Sequence, residues 1–512
     1  MKIKSLIITM ISAIFIMGCT EDFVETNTNP TIVNTPTFGS LFNPILQNPT
    51  RNYQRNVNLF ADFYAQYWGN LVDGFESPRY EYVNPWLRNK WLEFYTQTLQ
   101  EANTLIDIYG EDPVYTNVLA QLDIWIVAEW VRMLNAYGDL PYFDAGKGIN
   151  DVPYSPEQEI YYDLFDRLDA AVKVIDSSDE SQVTLSEDDL IYNGDAEKWK
   201  RFANSLRLRL AMRLANVDPG KAQAEAAAAI NLGVMTTNDD VARIPLWRDG
   251  FYDYLHIISN IFVNIRVSET FTNYLYSEAG FEDPRASRWL AYNESSPLNG
   301  GDFVGVKNGF DIVPEDAVDF ATMKTEDFDG EYIDFVGDGG AILLYKPIMF
   351  YSEVLFLQAE AALRGWVPGD ANGLYQQGIQ ASMDHVGVDP GQASAYIAAV
   401  PTLTGSNEAQ LKQLITQKWI ANFPNGAEAW ADFRRTDYPD ITLPVDGVSS
   451  NATVAQDTWV KRLRYPDEAH DLDSELMPSQ FNTIQTNRMD ARLWWDTADT
   501  KTKSGGLMNS NF

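Results

Sequence analysis

Two stretches of the chain interleave aromatic rings with polar side chains and turn-forming residues. Residues 64–86 read YAQYWGNLVDGFESPRYEYVNPW, and Trp68, Asn70, Asp73, Tyr80 and Trp86 are the side chains there best suited to hold a ligand. Residues 245–256 read PLWRDGFYDYLH and add Trp247, Arg248, Tyr252 and Tyr254. A flat ring offers an apolar face to the C–H patches of a sugar or to a peptide, while amides, carboxylates and guanidinium groups serve hydroxyls. Rings in loops also tuck back over a core edge, so each stretch has a structural reading beside the binding one. Catalytic chemistry finds less support. His256, His385 and His470 lie far apart, in no metal-ligand spacing. No nucleophile elbow, phosphate loop or zinc-protease signature occurs. With 72 acidic residues, carboxylate pairs occur everywhere and no glycosidase-like dyad stands out. A glycine-bearing acidic stretch with Asp327, Asp329 and Asp334 makes a weak calcium candidate, but it departs from EF-hand order and reads more simply as a solvated loop. No other cofactor is implied.

The N-terminus carries a different chemistry. Lys2 and Lys4 precede an apolar run from Leu6 to Met17, and Gly18 stands directly before Cys19, the one cysteine of the chain. Residues 1–18 therefore read as a secretory signal whose removal leaves Cys19 as a lipid-bearing first residue. A plain signal peptide with a chance cysteine is the alternative. The run is shorter than the roughly 20 apolar residues that a membrane span needs. Residues 19–37, rich in Asn, Thr and Pro, cannot bury enough surface to order themselves and read as a flexible tether. A lipid would then hold a folded body at a membrane surface without crossing it. With its single thiol so assigned, the chain has no disulfide.

Composition sets further bounds. At 512 residues and 45% apolar content the chain is globular, with room for a large core. A net charge of −34 repels nucleic acid and anionic lipid, so both are disfavoured as electrostatic partners. The 14 Trp, 26 Tyr and 26 Phe exceed what a helical core alone would take, which leaves rings to spare for a surface.

Helices must position these groups. In the segment 196–217, Trp199, Phe202, Leu206, Leu210, Leu214 and Val217 recur at steps of three and four, and Asp218-Pro219-Gly220 ends the run. Similar patterns predict helices over 91–109, 115–137, 157–175, 221–232, 351–364, 372–385 and 408–423. Gly365 suits a left-handed cap, and Gly138 a positive φ that stops the second of these. Helix–turn–helix pairs with Ala359, Ala361 and Ala362 at a contact suggest tetratricopeptide-like units. Two long irregular excursions, 241–340 and 438–477, interrupt them. The expectation is one mainly α body over 38–512, a scaffold of helical pairs with long loops and no parallel sheet.

Six motifs recur in a known order. They are EWVRMLNAYGDLPYFD (129–144), AEKWKRFANSLRLRLAMRLANVD (196–218), YKPIMFYSEVLFLQAEAALRG (345–365), ITQKWIANFPNGAEAWADFRRTDYPD (415–440), RLRYPDEA (462–469) and NRMDARLWWD (487–496). Together with the lipoprotein signal they resemble the SusD/RagB family of outer-membrane nutrient-binding lipoproteins. The resemblance implies a right-handed superhelix of tetratricopeptide-like pairs and a ligand face built from loops. It also implies a surface-facing place on the outer membrane, to which the acidic Thr20-Glu21-Asp22 adds, and a partner SusC-like TonB-dependent transporter. The ligand would be an oligosaccharide or a peptide, handed on without catalysis. A surface glycoside hydrolase or peptidase, and a purely structural transporter subunit, are the alternatives. The motifs themselves read as scaffold: Arg434 and Arg435 beside Asp432 and Asp437 as a local ion-pair network, and Trp494-Trp495-Asp496 as a terminal anchor.

Overall fold

Several helices in this protein begin where a side chain can take up a free backbone donor. Asp195 Oδ1 accepts from the Lys198 amide at 3.0 Å, Asp218 Oδ1 from that of Lys221 at 3.1 Å, and Ser406 Oγ from that of Ala409 at 3.2 Å. Some end at glycines with a positive φ, among them Gly138 (φ 89°) and Gly365 (φ 71°). The computed structural model describes residues 36–48, 53–149, 151–246, 255, 258–259, 262–292, 296–298, 300–323, 344–469, 475–478, 481 and 486–497. The helices are α1 (Phe38–Gln47), α2 (Asn84–Glu93), α3 (Leu99–Tyr109), α4 (Thr116–Tyr137), α5 (Glu157–Val174), α6 (Ala196–Arg213), α7 (Pro219–Leu232), α8 (Glu269–Ser277), α9 (Tyr351–Leu363), α10 (Ala371–His385), α11 (Pro390–Ala399), α12 (Asn407–Ala421) and α13 (Gly426–Thr436). Neighbours along the chain pack together: α4 on α5, α5 on α6, α6 on α7, and α9 on α10. Contacts of α9 with α6 and α12 join the pairs into one scaffold, so the fold is mainly α and tetratricopeptide-like.

Two expectations needed correction. The predicted helix 91–109 starts earlier, at Asn84, where Pro85 occupies the first turn without losing a bond, and a π-helical stretch Phe94–Thr98 separates α2 from α3. The ion pairs around Arg434 and Arg435 are also not local. Arg435 donates two hydrogen bonds to Glu360 of α9, at 2.7 and 2.8 Å, besides its weaker contact with Asp432 at 3.2 Å. Arg434 donates to the carbonyls of Asn135 (2.6 Å) and Lys461 (2.9 Å), and its guanidinium lies 3.4 Å over the Trp430 ring.

These contacts belong to a buried ionic core. Arg209 of α6 grips Glu353 of α9 with two bonds of 2.7 Å. Arg213 reaches Glu428 at 2.6 Å, and Lys418 of α12 lies 2.6 Å from Asp432 of α13. Burial pushes the Asp432 carboxyl up, but Lys418, Arg435 and Arg213 outweigh it and hold the group well below the carboxylate range. Glu360 shows the same balance with Arg435 and Arg364. Trp495 is fully buried with Arg213 and Arg434 each 5.0 Å from its ring, so the C-terminal anchor docks on this same core.

Small antiparallel pairs pin the long loops to the scaffold. β1 (Trp68–Asn70) pairs with β5 (Ile265–Val267), β2 (Leu140–Pro141) with β3 (Tyr154–Ser155), β4 (Ala242–Leu246) with β8 (Leu344–Met349), and β6 (Leu290–Ala291) with β7 (Thr322–Met323). A β-carbon on Gly69 of β1 would lie 2.5 Å from Val306 Cγ1, so glycine lets the chain at Val306 approach there.

Candidate ligand-binding cleft

Three loops far apart in sequence meet on one face. Gly69 of β1 pairs with Arg266 of β5, and the Leu71 amide donates to the Asn264 carbonyl at 2.8 Å. From the far end of the chain, the Val445 and Asp446 amides donate to the carbonyls of Asn308 (2.9 Å) and Gly309 (3.2 Å). Arg79 Nε donates to the Gly447 carbonyl at 3.1 Å, and Ser449 N to that of Arg79 at 2.8 Å. Gln66 ties all three: its backbone takes φ 57°, its amide oxygen accepts from the Thr270 hydroxyl at 2.6 Å, and its amide nitrogen donates to the Thr442 carbonyl.

Between the π-helical segment Gln54–Asp62 and the strap 71–75 lies a cleft of about 280 Å³. Leu59, Phe63, Phe75, Trp86 and Ile265 make its apolar walls, while Arg55, Asn58 and Asn264 supply polar edges. Phe75 and Trp86 lie 5.7 Å apart at 31°, and Phe63 leans on Phe75 at 6.0 Å, so the ring surface is braced from behind. Arg55 is exposed and Asn264 half-buried, whereas Asn58 is buried and donates to Asp62 at 3.2 Å. Val72, an exposed apolar side chain, also lines the cleft. No carboxylate or imidazole lines the cleft, and no group of three or more His, Cys, Asp or Glu could hold a metal among the described residues. What the cleft can do is stack and hydrogen-bond.

Of the side chains singled out in 64–86, Trp86 lines this cleft and Asp73 stands exposed beside it, its Oδ1 accepting from the Val313 amide at 2.8 Å. Trp68, Asn70 and Tyr80 are corrected to scaffold. Trp68 is fully buried 5.8 Å from the Phe423 ring, because β1 faces inward at that position. Asn70 is equally buried and holds the strap by donating to the carbonyls of Val72 (3.1 Å) and Phe310 (3.4 Å). Tyr80 packs edge-on against Tyr64 at 5.4 Å, and burial pushes its phenol up. Trp247, Arg248, Tyr252 and Tyr254 lie outside the described residues, as do Asp327, Asp329, Asp334 and Cys19. The sequence reading passed over Arg55, Asn58, Phe63, Phe75 and Asn264. Phe75 was in plain sight inside 64–86; the run QRNVNLFAD, with Asn56 and Asn58 beside Phe60, was the one hint of the cleft's other wall.

A mainly helical scaffold whose loops build a ring-lined cleft defines a class of protein, and comparison with known proteins gives the class its name. Residues 29–466 match the SusD-like family described as starch-binding and associating with the outer membrane, and the chain belongs to that family. A chitin-binding SusD homologue from Flavobacterium johnsoniae is 27% identical with a TM-score of 0.76, over 93% of this chain and 99% of that one. A structure described as a chitin-binding protein is 25% identical with a TM-score of 0.75, over 90% and 99%. A SusD homologue from Bacteroides vulgatus is 25% identical with a TM-score of 0.74, over 90% and 97%. No curated protein matches the chain. No helix among the described residues is long and apolar enough to cross a membrane.

Proposed function

We propose that this protein is a cell-surface lipoprotein that captures an oligosaccharide in the Trp86 cleft and passes it, unchanged, to a TonB-dependent transporter in the outer membrane. The observation that carries the reading is the braced Phe75–Trp86 surface with Arg55, Asn58 and Asn264 at its edges and no acid–base pair within it. Such a site holds a glycan by many weak contacts and leaves its bonds intact. The chitin-binding relatives favour oligomers of N-acetylated sugar, whose acetyl methyl suits the apolar wall of Leu59 and Ile265. Asp73 and Trp86 are the ligand contacts proposed from the first stretch, with Trp247, Arg248, Tyr252 and Tyr254 from the second. Residues 1–18 act as the export signal, Cys19 carries the lipid, and 19–37 tether the body of 38–512.

Calorimetric titration with chito-oligosaccharides, malto-oligosaccharides and a peptide mixture tests the ligand class. The reading expects binding to a glycan series, lost in Trp86→Ala, and intact oligosaccharide after long incubation. Binding of peptide alone, or release of shortened sugars, would sink it.

A further inference from the structure

Arg55 stands apart from the other arginines of the chain. It lies on the π-helical segment Gln54–Asp62, is exposed, lines the cleft, and makes no hydrogen bond, ion pair or ring contact among the described residues. Every other described arginine is engaged by a carboxylate, a carbonyl or a ring. With 72 acidic residues against 38 basic ones, a guanidinium left without a carboxylate is the exception here. Asp73, which stands beside the cleft, is turned to another partner, its Oδ1 accepting from the Val313 amide at 2.8 Å.

The charge of the cleft lining is that of Arg55 alone. Asn58 and Asn264 are neutral, and the rest of the lining is apolar. A neutral sugar settling on the Phe75–Trp86 surface would dehydrate the guanidinium without neutralising it, whereas an oxyanion offsets that cost. The guanidinium fork matches two oxygens of a carboxylate or a sulfate, and bonds of this charge-assisted kind are roughly twice as strong as neutral ones. The net charge of −34 opposes the approach of any anion. At physiological ionic strength that field is screened beyond about 8 Å, so the contact at Arg55 decides. Asn264 is half-buried, and its side-chain amide, which has no partner among the described residues, can serve a hydroxyl or acetamido group of the same ligand.

We propose that the cleft selects an acidic oligosaccharide, and that Arg55 makes the selection by holding a carboxylate or sulfate group of a sugar stacked on Trp86. This selectivity rests on the glycan-binding reading above and narrows the ligand from N-acetylated oligomers in general to those that also carry negative charge.

Calorimetry with three probes of equal length tests it: a neutral chito-oligosaccharide, a sulfated one, and an alternating oligomer of N-acetylglucosamine and glucuronate. At least one acidic probe is expected to bind about tenfold more tightly than the neutral one, and which of them does so tells sulfate from carboxylate. The preference should shrink as salt is raised. Arg55→Gln is expected to bring the acidic-to-neutral ratio of affinities to about one, with Arg55→Lys, which keeps the charge but not the fork, in between. Arg55 has no polar partner to lose, and an unchanged melting temperature checks that the variants are folded. Equal affinity of the wild-type protein for neutral and acidic probes, or an acidic preference that survives Arg55→Gln, would overturn the proposal and leave the glycan-binding reading standing. Binding of none of the three would bring down both.

Discussion

The ionic core and the cleft draw on the same residue types to opposite ends. In the core, Arg434 lies flat on Trp430 and Arg435 is locked to Glu360, with every face of both guanidinium groups closed off. In the cleft, Trp86 has Phe75 on one side and open space on the other, with Arg55 left to solvent. The segments by which the family is recognised, in α6, α9, α12 and α13, all converge on the core. None of the cleft's walls comes from them except through packing of α13 on the π-helical segment. Family identity and the cleft are therefore written in different residues, and the first constrains the second only by fixing where the loops start.

That contrast can be broken most forcefully from the core side. Arg435→Ala takes two hydrogen bonds from the buried Glu360, which keeps only Arg364, and one of the cations around Asp432, and should cost about 3 kcal/mol in urea unfolding. Glycan affinity of the fraction still folded should not change; a parallel loss of affinity in that fraction would merge the two regions. Next in size, Trp86→Ala should weaken oligosaccharide binding by about tenfold or more in calorimetry while barely moving the melting temperature. An unaltered Kd would place the site elsewhere.

Acid and base separate the two carboxylate environments of the core. Asp432 and Glu360 are held below their ordinary values, so their contribution is present above the unfolded carboxylate range and is lost as pH falls through the folded values. Glu157 behaves the other way: burial raises it from 4.5 to about 8, against the hydrogen bond from the Trp494 amide at 2.8 Å. The folded state then binds more protons than the unfolded, and this contribution, complete below 4.5, disappears as pH rises through 8. Glu157→Gln should flatten the decline in stability between pH 5 and 8 and leave the acid limb in place; a slope that persists would assign it to other groups. The smallest effect is expected of Asp73→Ala, which removes one exposed acceptor from Val313 and should change stability by less than about 1 kcal/mol.

Much of the scaffold could be read from the chain because apolar residues carry its periodicity. Leu206 and Leu210 mark α6, and Gly365 marks the end of α9, as the structure has them. α13 was missed since its inward face includes Glu428, Asp432 and Arg435, charged residues that an apolar pattern assigns to solvent. α8 was hidden within the excursion 241–340. The cleft was half legible. Trp68 and Trp86 look alike in a loop-rich stretch, and only pairing with Val267, far along the chain, turns the first inward. Asn264 reaches the cleft by that same long-range pairing, which no local pattern encodes.

Gln66 gives the loop face a property that its separate segments would lack. Its one side chain touches Thr270 and Thr442, and its carbonyl accepts from Ser268, so the three straps share a common pivot in a backbone shape unusual for a residue with a β-carbon. Displacing any one strap must turn this pivot and so disturb the other two. The face behaves as joined loops, and grafting a single one of them would unseat its neighbours.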